Sequence, residues 1–149
     1  MKKTKTWILI ADGAQARVFE TETGAKGLVA VKGGDFKAAN LRSREIDADK
    51  PGQGFSRAGD GQRRMQPQTD SHRHAEAQFA RHLAEFLQQG QQRRAYDDLV
   101  IVAPATALGD LRAALAPGVK KLVKAELTKD LVHISERALP EHLDSILHP

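Results

Sequence analysis

Two uninterrupted apolar runs and three stretches of helical spacing organise the chain. Trp7, Ile8, Leu9, Ile10 and Ala11 follow one another without a polar break and stop at Asp12-Gly13. A short run without alternation predicts a strand covered on both faces. Residues 16–21 (ARVFET) mix apolar and polar positions and predict a second strand. Residues 28–32 (LVAVK) predict a third, after a turn supplied by Thr23-Gly24 and Lys26-Gly27. Connections this short favour an antiparallel meander. Residues 99–103 (LVIVA) are the second uninterrupted run and read as another central strand, and residues 122–127 supply a fifth before a turn at Thr128-Lys129-Asp130.

Ala75, Phe79, Leu83, Phe86 and Leu87 recur on one side of a helix, with Glu76, Arg81, Glu85 and Gln88 on the other. Asp70 or Ser71 is placed to cap its start and Gly90 to end it. Leu108, Leu111 and Leu115 mark a second helix, opened by Pro104 in its first turn and closed before Pro117-Gly118. Leu139, Leu143, Ile146 and Leu147 mark a third, with Ser135 as cap and Pro140 in the first turn. Between Gly33 and Thr69 neither period holds, and Gly, Pro, Gln and Arg dominate. Phe36, Leu41, Ile46, Phe55 and Met65 are spaced to pin parts of this stretch to the body, with a short helix near 36–42. Connections beyond about 12–15 residues are uncommon in compact domains and tend to be functional or disordered.

The order β-β-β, long loop, α-β-α-β-α predicts an α/β fold. It is the order of a ribonuclease H-like mixed sheet of about five strands, the first three antiparallel, with helices on its faces. The expected organisation is a single domain over residues 1–149, in which residues 33–69 form the loop between the third strand and the long helix.

Composition narrows the chemistry. A chain of 149 residues can bury roughly 70% of its unfolded surface, so no metal or disulfide is needed for folding. Cysteine is absent, which excludes thiolate metal sites, disulfides and cysteine nucleophiles. The apolar run after the N-terminal lysines is shorter than the roughly 7–15 residues of a signal core, and no run approaches the ~20 residues of a membrane span. A cytoplasmic location without a membrane partner is expected. The net charge of +4 permits contact with RNA or the ribosome without requiring it.

Four segments carry a family resemblance: WILIADGAQARVFE, SRAGDGQRRMQPQTDSHRHAEAQFARHLAEFL, YDDLVIVAPATALGDLRAAL and LTKDLVHIS, in this order. Together they resemble the bacterial host attachment protein family, which looks like a relative of the middle domain of archaeal and eukaryotic peptide-chain release factors. That resemblance implies the fold more firmly than an activity. In those release factors a Gly-Gly-Gln loop precedes a long helix, and its glutamine helps water attack the ester of peptidyl-tRNA. Here Gly59-Asp60-Gly61-Gln62 holds the same place, with Gly61 and Gln62 matching the last two positions. Asp60 replaces a glycine, adding negative charge and restricting the backbone, which counts against retained hydrolysis.

The candidate catalytic residues are therefore Gln62 and Asp12. An acid on the first strand helps hold magnesium in ribonuclease H-like nucleases, but that chemistry needs two or more clustered carboxylates. Asp97 and Asp98 open the fourth strand instead of closing it, leaving Asp130 as a late acid; the alternative for Asp12-Gly13 is simply a turn. His72 and Glu76 share a helix face at i, i+4, whereas His72 and His74 do not, and a solvated first turn is the alternative to metal binding. Arg57, Arg63, Arg64 and Arg73 gather around Gly61, Gln62 and the helix start. Arginines at a helix N-terminus make a phosphate-binding arrangement, pointing to RNA, with a solubilising loop as the alternative. No phosphate loop, nucleophile elbow or HExxH pair occurs, and no metal or cofactor is expected. A binding or adaptor domain leads these readings, followed by a peptidyl-tRNA ester hydrolase and a metal-dependent nuclease; a protein partner or homo-oligomer is compatible with the first.

Overall fold

A computed structural model describes residues 3–23, 27–41 and 68–147. Its elements are β1 (Lys5–Ala11), β2 (Gln15–Glu22), β3 (Val29–Lys37), α1 (Gln68–Gln92), β4 (Asp98–Ala103), α2 (Ala105–Ala114), α3 (Pro117–Lys120), β5 (Val123–Thr128) and α4 (Leu139–Leu147). The strands form one mixed sheet in the order β3-β2-β1-β4-β5. β1 pairs antiparallel with β2 and parallel with β4; β2 pairs antiparallel with β3, and β4 parallel with β5. The fold is α/β.

The two apolar runs form β1, at the centre of the sheet, and β4 beside it, because both of their faces are covered. Trp7, Leu9 and Ala11, with Leu99, Ile101 and Ala103, face Phe79, Leu83 and Leu87 of α1 and Leu108 and Leu111 of α2. Ile8, Ile10, Val100 and Val102 face Leu131, Val132 and, from α4, Leu139 and Leu143. Successive strand residues point to opposite faces, so a run without polar residues feeds two cores at once. Among the described residues no helix is long and apolar enough to cross a membrane.

Several boundaries differ from the sequence reading. β3 continues past Lys32 to Lys37. Phe19 pairs with Ala30 and Arg17 with Asp35, so residues 31–34 stand opposite Val18 alone. Gly33 turns this bulge with φ 77°, and a Cβ on Gly34 would come 2.9 Å from the Val18 side chain; hence glycine at both. Residues 38–41 are helical, within the expected short helix. Ile46, Phe55 and Met65, assigned to pin the loop, lie outside the described residues.

α1 starts at Gln68, before either expected cap, and passes Gly90 to end at Gln92. Gly90 is needed for close approach instead, since a Cβ there would meet the Trp7 ring at 2.8 Å and Tyr96 at 3.1 Å. The helix closes through Arg94, at φ 56°, with Ala95 N donating to Gly90 O and Arg94 N to Gln91 O. This is the paired carbonyl capture that usually employs glycine. Pro104 stands at the N-cap of α2, not inside its first turn. Leu115 follows α2 as its C-cap, and Pro117 opens α3, a separate single turn. The backbone carbonyl of Ser135 receives Ala138 N and Leu139 N at the approach to α4.

Candidate functional site

β1, β4 and β5 run parallel, and their C-terminal ends meet where α1 begins. Open α/β sheets tend to bind ligands outside the C-terminal ends of such strands. Asp12 closes β1 there. Its Oδ1 accepts from Ala14 N at 2.8 Å and Gln15 N at 2.7 Å, while Asp12 N donates to Gln15 O. The carboxylate thus holds the β1–β2 turn, as short acidic side chains do in turns. Its Oδ2 lies 3.8 Å from Nε2 of His133, in the chain between β5 and α4. Arg17 of β2 fixes that chain by donating to the carbonyls of Val132 and Ile134.

Gly13, next in the turn, is where α1 touches down. A Cβ at this position would come 2.5 Å from Oε2 of Glu76. Glu76 accepts from Arg73 at 2.7 Å and has His72 Nε2 3.4 Å away. Arg73 also grips Asp110 of α2 with both of its terminal nitrogens, at 3.0 and 2.8 Å. The hydrogen bonds that Arg73 donates to Asp110 first, and then to Glu76, raise its pKa above the ordinary value. The guanidinium stays charged and ties α1 to α2. On the other side of the turn, Ala38 N donates to Ala14 O at 2.8 Å. The chain leaving β3 is therefore bonded to the β1–β2 turn, and the first turns of α1 pack against it.

The expected site residues divide accordingly. Arg57, Gly61, Gln62, Arg63 and Arg64 lie outside the described residues. Arg73 is at the helix start as expected, engaged by two carboxylates. His72 and Glu76 share a face, as their spacing required. The neighbour of Asp12 is a histidine, His133. Asp97 and Asp98 sit beside Lys5 and Thr6, accepting from Lys5 N and Thr6 Oγ1; that is roughly 20 Å from Asp12 at about 3.3 Å per residue along β1. Among the described residues no three His, Asp or Glu side chains assemble to hold a metal ion. Asp110 and His133 were not singled out from the sequence. They reach the site across the fold, and no local spacing marks them.

A family model described as "Protein required for attachment to host cells" matches residues 7–143, which covers the sheet but for the first two residues of β1, every helix but the last residues of α4, and the whole connection from β3 to α1. No curated protein matches the chain.

Proposed function

The chain belongs to the family of proteins required for attachment to host cells, and we propose that its molecular role is binding, with RNA or the ribosome as partner and without catalysis. One observation carries this reading: the β3–α1 connection leaves and returns beside the β1–β2 turn, where Ala38 N donates to Ala14 O and Glu76, eight residues into α1, packs against Gly13. The connection carries Arg57, Arg63 and Arg64 and leads directly into α1, whose N-terminal N–H groups favour anions. The strand order and directions support a ribonuclease H-like sheet and, with it, kinship to the release-factor middle domain. The family description names attachment, a biological requirement that a binding role fits.

The test is RNA binding as a function of salt. Each phosphate neutralised on a single strand contributes about −0.7 to the slope of log K against log salt. The Arg63→Ala/Arg64→Ala variant should therefore flatten the slope by about 1.4. Absence of binding at low salt, or an unchanged slope, refutes the reading.

The placement of Gly61-Gln62 ahead of α1 favours ester hydrolysis on peptidyl-tRNA as the second reading. Release of the ester that disappears in Gln62→Ala would establish it over the first. A magnesium-dependent nuclease has less support, because Asp12 holds the turn and, among the described residues, no cluster of three His, Asp or Glu side chains forms around it.

A further inference from the structure

We propose that the outer edge of β5, with the cleft beside it, captures an extended acidic peptide of a partner protein by strand addition. β5 ends the sheet, and among the described residues no strand lies along its outer side. An edge of this kind presents unpaired main-chain groups. Beside it runs an open cleft of about 520 Å³ lined by consecutive residues of β5, from Val123 to Glu126, together with Arg112 and Leu115 from α2 and its C-cap and Lys120 from α3. A cleft that follows one strand fits an extended chain.

The side chains state what that chain should carry. Leu115 and Val123 give the cleft apolar ground, and Arg112, Lys120 and Lys124 surround it. The one carboxylate lining it among the described residues, Glu126, is already held by Arg112, whose Nε and terminal nitrogen both donate to Oε1. Lys124 is the extra residue of a bulge: Leu99 pairs with Val123 and Val100 with Ala125, so Lys124 has no opposite number on β4. Bulges re-aim side chains at edges, and among the described residues the Lys124 ammonium keeps one ionic contact, 3.8 Å from Asp98. Ligand carboxylates at alternate positions would meet Lys120 and Lys124. Among the described residues no aromatic ring lines the cleft, so these residues offer a nucleic acid no surface on which to stack its bases. A second copy of this chain would bring the same excess of lysine against itself.

The experiment uses the full chain and fluorescein-labelled short peptides at low salt, read by anisotropy. A peptide alternating Glu and Val should bind and weaken as salt rises. Its affinity should fall about tenfold in Lys120→Gln/Lys124→Gln and vanish when alternate peptide amides are N-methylated. Equal binding of a peptide alternating Lys and Val, indifference to the double substitution, or indifference to N-methylation overturns the proposal. So does displacement of the peptide by single-stranded RNA that needs the same two lysines. Arg63 and Arg64 are untouched throughout, so the outcome is separate from that of the salt-slope measurement.

Discussion

The carboxylate of Glu76 on α1 lies against Gly13 of the β1–β2 turn so closely that one added methyl group could not fit without moving it. Gly90, near the other end of the same helix, is crowded in the same way by Trp7. The two contacts differ in what can yield. Glu76 is the end of a flexible side chain in an exposed cluster with Arg73 and His72. Trp7 is 2% exposed and stacked against Tyr96 with ring centroids 4.6 Å apart.

Gly13→Ala should therefore cost less than about 1 kcal/mol, the scale of an exposed ion pair that must rearrange. Gly90→Ala should cost about 1–3 kcal/mol through overpacking, even though alanine is the better helix former by up to about 1 kcal/mol. Urea unfolding of the two variants decides the matter. Equal costs would mean that the Trp7 and Tyr96 rings yield as easily as a glutamate.

Arg94 holds a backbone conformation that costs a non-glycine residue roughly 1–2 kcal/mol. Its side chain has no hydrogen bond or ion pair among those described, so the position is conformational in purpose. Arg94→Gly should raise stability by about 0.5–1 kcal/mol, or a few degrees in Tm for a chain of this size. A fall in Tm would show that the arginine side chain contributes more than its backbone strain removes.

How far these features could be read from sequence depends on the range of the interactions behind them. Residues 7–11 and 99–103 were legible as central strands because burial on both faces leaves an uninterrupted apolar run. α1 was legible because Phe79, Leu83 and Leu87 repeat at its period. The passage of β3 through Gly33-Gly34 was not, since a bulge of residues 31–34 opposite Val18 has no period to detect. Glycine often ends helices, so Gly90 suggests a stop; its actual constraint comes from Trp7, far away in sequence. At the candidate site, Asp12 and Arg73 were legible as residue types in telling places. Their partners His133 and Asp110 were not, because any arginine or aspartate has many eligible partners until the fold selects one.

Burial pushes the Tyr96 phenol up to about 12, while its O–H donates to Leu87 O at 2.6 Å. The folded state thus holds this proton more tightly than the unfolded chain, where the group titrates near 10. The resulting stability is fully present below pH 10 and is lost as pH rises through 12. Tyr96→Phe should be less stable than the parent at pH 8, through the orphaned Leu87 carbonyl, and the gap should narrow towards pH 12. Lysines titrate in the same window in both proteins, so the difference between the two curves is the diagnostic. Parallel curves would show that the buried hydroxyl is not the group responsible.

Asp12 allows a structural role to be separated from a metal-holding one. Its Oδ1 receives two backbone N–H groups of the β1–β2 turn, and an asparagine oxygen can receive the same two. Asp12→Ala should cost about 1–2 kcal/mol, the scale for losing a charged acceptor of backbone donors. Asp12→Asn should cost less than about 1 kcal/mol, since neutral hydrogen bonds are weaker than charge-assisted ones without being absent. Metal holding would invert this order in function: asparagine would abolish magnesium-dependent cleavage while leaving the fold intact. Guanidinium unfolding of both variants, beside an RNA cleavage assay with magnesium, separates the two. The turn-holding role is sustained by ordered stability losses with no magnesium-dependent cleavage in any of the three proteins. It is refuted as the sole role of Asp12 if the parent cleaves RNA and the equally stable asparagine variant does not.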